Sequence, residues 1–290
     1  MIGGQSMVAP LQRVIVKDPA AAWQTQERVA SQWQQLQFND QPDLALAQQE
    51  HDEFVSAVSR LGCEVLRMPA SGSTTIDSVY THDPAILVDG GLVLLRMGKA
   101  ARRPEANAFA AIAEDWDLPV VGWIDGEAMA EGGDVFWLDA ETLVVGVGFR
   151  TNQAAVDQLT ALLGPRGVTV LAVHLPYWRG PEHILHTMSF ISMLDDDLAV
   201  VQRDLLPVPL YLALEERGVE LIDVAEGEFE TQACNVLAVA PRKLVMLDGN
   251  PLTQARIEAA GCEVETFSGT NISLCGDGGP TCLTRPILRR

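Results

Sequence analysis

Apolar positions along this chain follow two alternating patterns. In the first, residues at helical spacing run up to a glycine and are followed at once by a short apolar strand. The pattern predicts a helix over Gln48 to Gly62, with Phe54, Val55, Val58 and Leu61 on one face, and then a strand over Cys63 to Met68. It recurs as Glu105 to Trp116 with Leu118 to Trp123, where no glycine intervenes, and as Asn152 to Gly167 with Val168 to Leu175. Two further copies are Pro209 to Gly218 with Val219 to Val224, and Leu252 to Gly261 with Cys262 to Phe267. The glycines stand where a helix needs a left-handed residue to stop.

The second pattern is a pair of apolar runs broken by turn residues, which predicts a hairpin. It is read over Ala85 to Leu95 around Asp89-Gly90-Gly91, and over Val135 to Val147 around Asp139-Ala140. It returns over Ile191 to Val201 around Asp195-Asp196-Asp197, and over Val236 to Met246 around Pro241-Arg242. A fifth copy is complete if Thr281 to Leu288 pairs with Arg13 to Lys17, which closes the chain into a ring. Five units with one element order along the 290-residue chain suggest a repeat architecture closed on itself, with the inner hairpins converging on a central axis. The same alternation also suits an open doubly wound sheet, but no GxGxxG fingerprint or P-loop accompanies it.

A net charge of −19 argues against nucleic acid, whose phosphates need clustered Lys and Arg. It suits a cationic small molecule, although acidity that only maintains solubility reads the same way. The five cysteines, Cys63, Cys234, Cys262, Cys275 and Cys282, show no CxxC or Cys/His zinc spacing. No secretory signal is visible at the N-terminus, and no apolar run reaches the length of a membrane span. The expectation is a reduced, cytoplasmic protein without a membrane partner; a homodimer is left open.

Four segments carry candidate chemistry. Residues 77–84 hold Asp77, His82 and Asp83 ahead of the first hairpin, where two carboxylates can face one ligand or merely cap a turn. Glu131-Gly132-Gly133-Asp134 opens the second hairpin, as a pocket-lining acid or as a solvated turn. His186 precedes the third hairpin, with His183 as a competitor for proton transfer and an ordinary polar role as the alternative for both. Cys282 follows Gly278-Gly279-Pro280-Thr281, a setting that exposes it, whereas Cys63 and Cys262 follow helix-ending glycines and read as core. A histidine, carboxylates and an exposed thiol together suggest covalent catalysis on a cation.

In this order the motifs resemble those of the guanidino-group modifying enzymes, the pentein or amidinotransferase superfamily, and among them dimethylarginine dimethylaminohydrolase. Residues 77–83 are similar to that family's Asp-x-Val-Phe-Val-Glu-Asp, although His82 stands where the family has glutamate. Met97 to Glu105, Glu131 to Val135, Arg150-Thr151-Asn152, His186 to Phe190 and Gly279 to Cys282 resemble further family segments. Met188 replaces a lysine of that family and an aspartate of arginine deiminase. The resemblance implies a five-fold α/β propeller with its active site on the axis and no cofactor or metal. It implies Cys282 as nucleophile, His186 as acid and base, and Glu131 as catalytic acid partner. Asp77 and Asp83 would hold a guanidinium, with Arg102 and Arg150 on a substrate carboxylate; His82 and Asp134 are additional candidates. The implied activity is hydrolysis of arginine or an N-methylated arginine to citrulline and an amine, through a Cys thiouronium. Amidino transfer to an amine, an arginine deiminase-like reaction and a non-catalytic binding propeller are the alternatives.

Overall fold

Why the chain closes on itself is visible in its strand pairing. The computed structural model describes residues 2–183 and 185–290. Its first sheet sets β1 (Leu11–Val16) between β2 (Glu64–Arg67) and the last strand, β15 (Arg285–Arg289). The other sheets are β3 (Ala85–Val88), β4 (Gly91–Leu94), β5 (Val120–Trp123); β6 (Val135–Asp139), β7 (Thr142–Val147), β8 (Thr169–His174); and β9 (Ile191–Asp195), β10 (Leu198–Val201), β11 (Glu220–Asp223). The fifth holds β12 (Leu237–Ala240), β13 (Lys243–Leu247) and β14 (Glu263–Phe267). In each, two strands pair antiparallel and a third joins the middle strand in parallel. A parallel neighbour needs a crossover, and a helix supplies it in every unit.

The crossovers are α3 (Leu44–Arg60), preceded by the short α1 (Pro19–Ala22) and α2 (Gln26–Gln32), then α4 (Pro104–Asp115) and α5 (Gln153–Leu163). After α6 (Thr187–Phe190), a single turn ahead of β9, come α7 (Val208–Glu216) and α8 (Pro251–Ala259). Side-chain oxygens at the N-cap hold three of them: Thr25 accepts from Arg28 N–H, Asp43 from Ala45 and Leu46 N–H, and Asn152 from Ala155 N–H. Gly62 leaves α3 with φ +94° as expected. Where the sequence offers no glycine, Asp117 takes the left-handed conformation at φ +51°, which a short polar side chain tolerates.

Three crossover helices also reach the outer strand of the preceding unit. Phe54 of α3 packs on Phe267 of β14, rings 4.9 Å apart. Leu162 of α5 covers Gly122 of β5, and α8 lies against β11. Each wedge buries large apolar side chains worth about 1.5–3 kcal/mol apiece. The pairing of Val14 with Pro286 and Ile15 with Arg285 seals the ring, as the apolar pattern predicts. The architecture is the expected five-fold α/β propeller.

Residues 2–10 lie at the end of the ring where the hairpins turn; Met1 is outside the described residues. Gly3 N–H donates to Ile287 O, Gln5 Nε2 to Ala140 O, and Asp89 N–H to Gln5 Oε1. The reason is close backbone packing: a Cβ at Gly4 would stand 2.7 Å from Arg289 O.

Candidate active site

Most predicted site residues come from the segments that lead into the first strand of a unit; Arg102 and Arg150 instead follow β4 and β7. Those segments are stitched to one another around the ring. Gly132 N–H donates to Asp83 O and Gly133 N–H to Asp83 Oδ1, both at 2.9 Å. Asp134 Oδ1 accepts from Thr187 N–H at 3.1 Å. Ser192 Oγ donates to Cys234 O, and Asn235 Oδ1 accepts from Thr281 N–H. His82 N–H donates to Cys282 O at 3.2 Å, which completes the circuit. Residues about 200 positions apart are thereby fixed without regular secondary structure, as a site built on loops requires.

Within this ring His186 Nε2 donates to Glu131 Oε2 at 2.8 Å. Glu131 Oε1 accepts from Lys99 N–H at 2.8 Å and lies 3.5 Å from Arg150 Nη1. The glycines of the Glu131 turn are needed here, since a Cβ on Gly133 would overlap the His186 ring. Burial works against charge on His186, but Asp134, the bond to Glu131 and the charge of Asp83 outweigh it and raise its pKa to about 9. Glu131 is buried too, which would raise its pKa, yet His186 and Arg150 hold it below the usual carboxylate range. The pair therefore rests as imidazolium and carboxylate at neutral pH.

Cys282 is the one cysteine of the five that is not buried. Its Sγ accepts from Asn235 Nδ2 at 3.2 Å. Burial of the sulfur and then the charge of Asp83 push the thiol up to about 11, against the Asn235 amide, the Gly279 backbone and Arg102. The free protein thus holds a thiol that a bound cation would turn into a thiolate. Asn235 was not anticipated. An asparagine after a buried cysteine carries no chemical signature in sequence, and only Gly279, whose Cβ would overlap the Asn235 amide, hints at the contact.

Several predicted roles need revision. Arg102 does not face outward to a carboxylate. It is buried, with Nη1 2.5 Å from Asp83 Oδ2, Nε and Nη2 forked onto Glu105 at 2.9 and 2.8 Å, and Nη2 also on Tyr80 O. A motif of adjacent arginines does not say which one turns inward. Arg150 leans on Glu131 as given above. Asp77 Oδ2 is 2.7 Å from Lys99 Nζ, which also donates to Leu36 O. Asp83 is held well below the carboxylate range: burial opposes this, while Arg102 and His186 favour its charge. His82 is turned from the pocket, its Nδ1 donating to Thr284 O; burial and Arg285 lower it to about 3, so it is neutral. Asp134 braces rather than lines, accepting from Thr151 Oγ1 at 2.7 Å, and burial raises it to about 6.

A cavity of about 240 Å³ is walled by Trp178, Arg179, Ser189, Phe229, Glu230 and Asp277. His183, the rejected competitor, lines it, and so does Trp178; Trp23 and Trp137 pack in the core. A larger cavity of about 460 Å³ lies at the other end, against Met7, Trp137 and the turns at Asp139 and Asp195. Among the described residues one group, Asp18, His51 and Asp52, brings three metal-type ligand atoms within 4.8 Å, and Arg67 already pairs with both aspartates. No helix among the described residues is long and apolar enough to cross a membrane.

The chain is similar to several known proteins. An arginine deiminase of Listeria monocytogenes is 26% identical over 249 residues, covering 72% of this chain and 60% of its own length. The chain thus spans about 60% of the length of that relative. A Pseudomonas aeruginosa dimethylarginine dimethylaminohydrolase variant complexed with citrulline superposes with TM-score 0.77 at 20% identity, over 96% of this chain and 100% of that one. The N-terminal domain of ArgZ, covalently bound to a reaction intermediate, gives 0.79 at 19% identity, over 96% and 98%. The family model for N,N dimethylarginine dimethylhydrolase, eukaryotic, matches residues 21–289. The chain belongs to that family, within the guanidino-group modifying superfamily.

Proposed function

We propose that the protein hydrolyses a C–N bond of a guanidino substrate through a covalent intermediate on Cys282. The observation that carries this reading is the resting state of the site. A thiol with its pKa at about 11 feels the charge of buried Asp83, and buried Glu131 is bonded to an imidazolium. Such a site is short of one cation. A guanidinium bound by Asp83 and Glu131 supplies it and brings the thiol pKa down.

The thiolate then adds to the guanidinium carbon. His186 protonates the departing amine as its C–N bond breaks, leaving an S-alkylthiouronium on Cys282. Neutral His186 next removes a proton from water, which attacks the same carbon. The C–S bond breaks and a ureido product leaves. Asn235 holds the sulfur in line throughout. For arginine or an N-methylated arginine the products are citrulline and ammonia or an alkylamine. Family membership, the citrulline complex of one structural relative and the covalent intermediate of another support the reading.

The test is incubation with arginine, N-methylarginines and simple alkylguanidines, followed by mass spectrometry of protein and products. A ureido product with a transient adduct on Cys282, and loss of turnover by at least about 10³-fold in Cys282→Ser, is expected. A Cys282→Ser protein that turned over at the wild-type rate would end the proposal.

A further inference from the structure

The last strand carries positive charge that the reaction does not use. Arg285 and Arg289 stand four residues apart on one face of β15, both buried, and both line a cavity of about 20 Å³. Its other walls are largely apolar, with Ile86, Leu87, Val135, Trp137 and Leu143 among them. Arg285 Nη1 donates to Ala85 O and, at 3.1 Å, to His82 O, while Nη2 lies 3.3 Å from Nδ1 of the neutral His82 ring. Arg289 donates to Ala9 O at 2.7 Å and to Ala238 O at 2.8 Å. Among the described residues neither arginine enters an ion pair, and the acceptors they hold are neutral carbonyls. Asp83 is the carboxylate whose charge reaches Arg285, and it is already bonded to Arg102.

This placement is costly. Burial lowers Arg285 to about 9, with Asp83 opposing and Arg289 adding to the fall, and burial lowers Arg289 to about 10. What relieves a buried cation is a counter-charge. Two donors at the cavity stand ready for one. Arg285 Nε is buried and has no hydrogen-bond partner among the described residues. Ser6 Oγ, on the same lining, accepts from Val8 N–H at 3.1 Å and from Ala9 N–H at 2.9 Å. Both lone pairs of that hydroxyl are then used, and its proton is left to donate.

Size selects the occupant. A volume of about 20 Å³ holds one water-sized particle and is too small for phosphate or a carboxylate. Entry is from the hairpin-turn end, because Ser6, Met7 and Trp137 also line the cavity of about 460 Å³ there. Asp139 and Asp195 on that rim are engaged by Arg217 and Arg242.

We propose that this cavity is an anion site that takes a single chloride between the Arg285 and Arg289 guanidinium groups and the Ser6 hydroxyl. The site is independent of the roles given to Cys282 and His186. Arg285 bonds the carbonyls on either side of Asp83-Pro84, so the anion also steadies the segment that carries Asp83.

The experiment compares Tm of the full chain in sodium chloride and in sodium gluconate at matched ionic strength, gluconate being too large to enter. Raising chloride from zero to about 200 mM is expected to lift Tm by about 3 °C over gluconate. Ser6→Ala, which keeps both cations and loses one donor, should shrink that difference by more than half, and Arg285→Met should abolish it. In crystals grown with sodium bromide, an anomalous peak is expected beside Arg285 Nε and Ser6 Oγ. Equal Tm values of the wild type in the two salts, or a bromide map without a peak in this cavity, would overturn the proposal and assign the space to water.

Discussion

The two ends of the propeller differ in what they do with polar groups. At the end that leads into the hairpins, carboxylates, a histidine and arginines are buried together and bonded to each other, and their pKa values are displaced. At the end where the hairpins turn, Arg217 with Asp139 and Arg242 with Asp195 and Asp197 form ion pairs open to water, and buried Arg289 donates to the Ala9 and Ala238 carbonyls. The larger cavity is at that second end. Size alone would therefore choose the face of the hairpin turns, whereas displaced ionisation points to the end that holds the candidate thiol and imidazole. Desolvated charge is expensive, so a chain that collects it in one place does so for chemistry.

The sharpest way to break this contrast is to remove the proton carrier. His186→Ala should lower kcat by about 10²–10⁴-fold, read in a steady-state assay with whichever guanidine is turned over; an unchanged rate would shift the acid–base role elsewhere. The same residue tests the electrostatics. Its folded pKa of about 9 lies above the ordinary value near 6.5, so folding favours the protonated form. That stabilisation is complete below about pH 6.5 and is lost as pH rises through about 9. A Tm series from pH 6 to 10 should show a fall in the wild type that His186→Ala lacks.

A smaller effect is expected at Asn235. Iodoacetamide alkylation of Cys282 in the free protein should accelerate with pH toward about 11. Asn235→Ala, which removes the donor to sulfur, should move that profile to higher pH and lower kcat about tenfold. An unmoved profile would reduce Asn235 to a brace for the Thr281 backbone. At the other end Arg217→Ala should leave kcat unchanged and cost roughly 0–1 kcal/mol by denaturant melt, because its ion pair with Asp139 is partly exposed. A large loss of activity there would erase the distinction between the ends.

Much of the frame was legible because its signals are local. The hairpin turns at Asp89-Gly90 and Asp139-Ala140 and the glycine stops at Gly62 and Gly261 fall where expected. The helices α1 and α2 were not read: each is seven residues or shorter and gives no sustained periodicity. Within the site, the type of residue was legible but its direction was not. Glu131 and His186 meet across 55 positions of sequence. Arg102 turns inward because Glu105, one helical turn on, completes a buried fork with it. His82 turns to the Thr284 carbonyl on a segment some 200 residues distant. Such choices are made by partners remote in sequence.

The seam between β1 and β15 has a consequence for how the molecule comes into being. Four sheets are made of strands close in sequence and can form as the ribosome releases them. The first cannot, because its inner strand is residues 285–289. Until those residues emerge, β1 offers an unpaired edge of Leu11, Val14, Ile15 and Val16 to any strand nearby. The last step of folding is then the slowest in contact order and the most exposed to misassociation, and it is also the step that carries Cys282 into place.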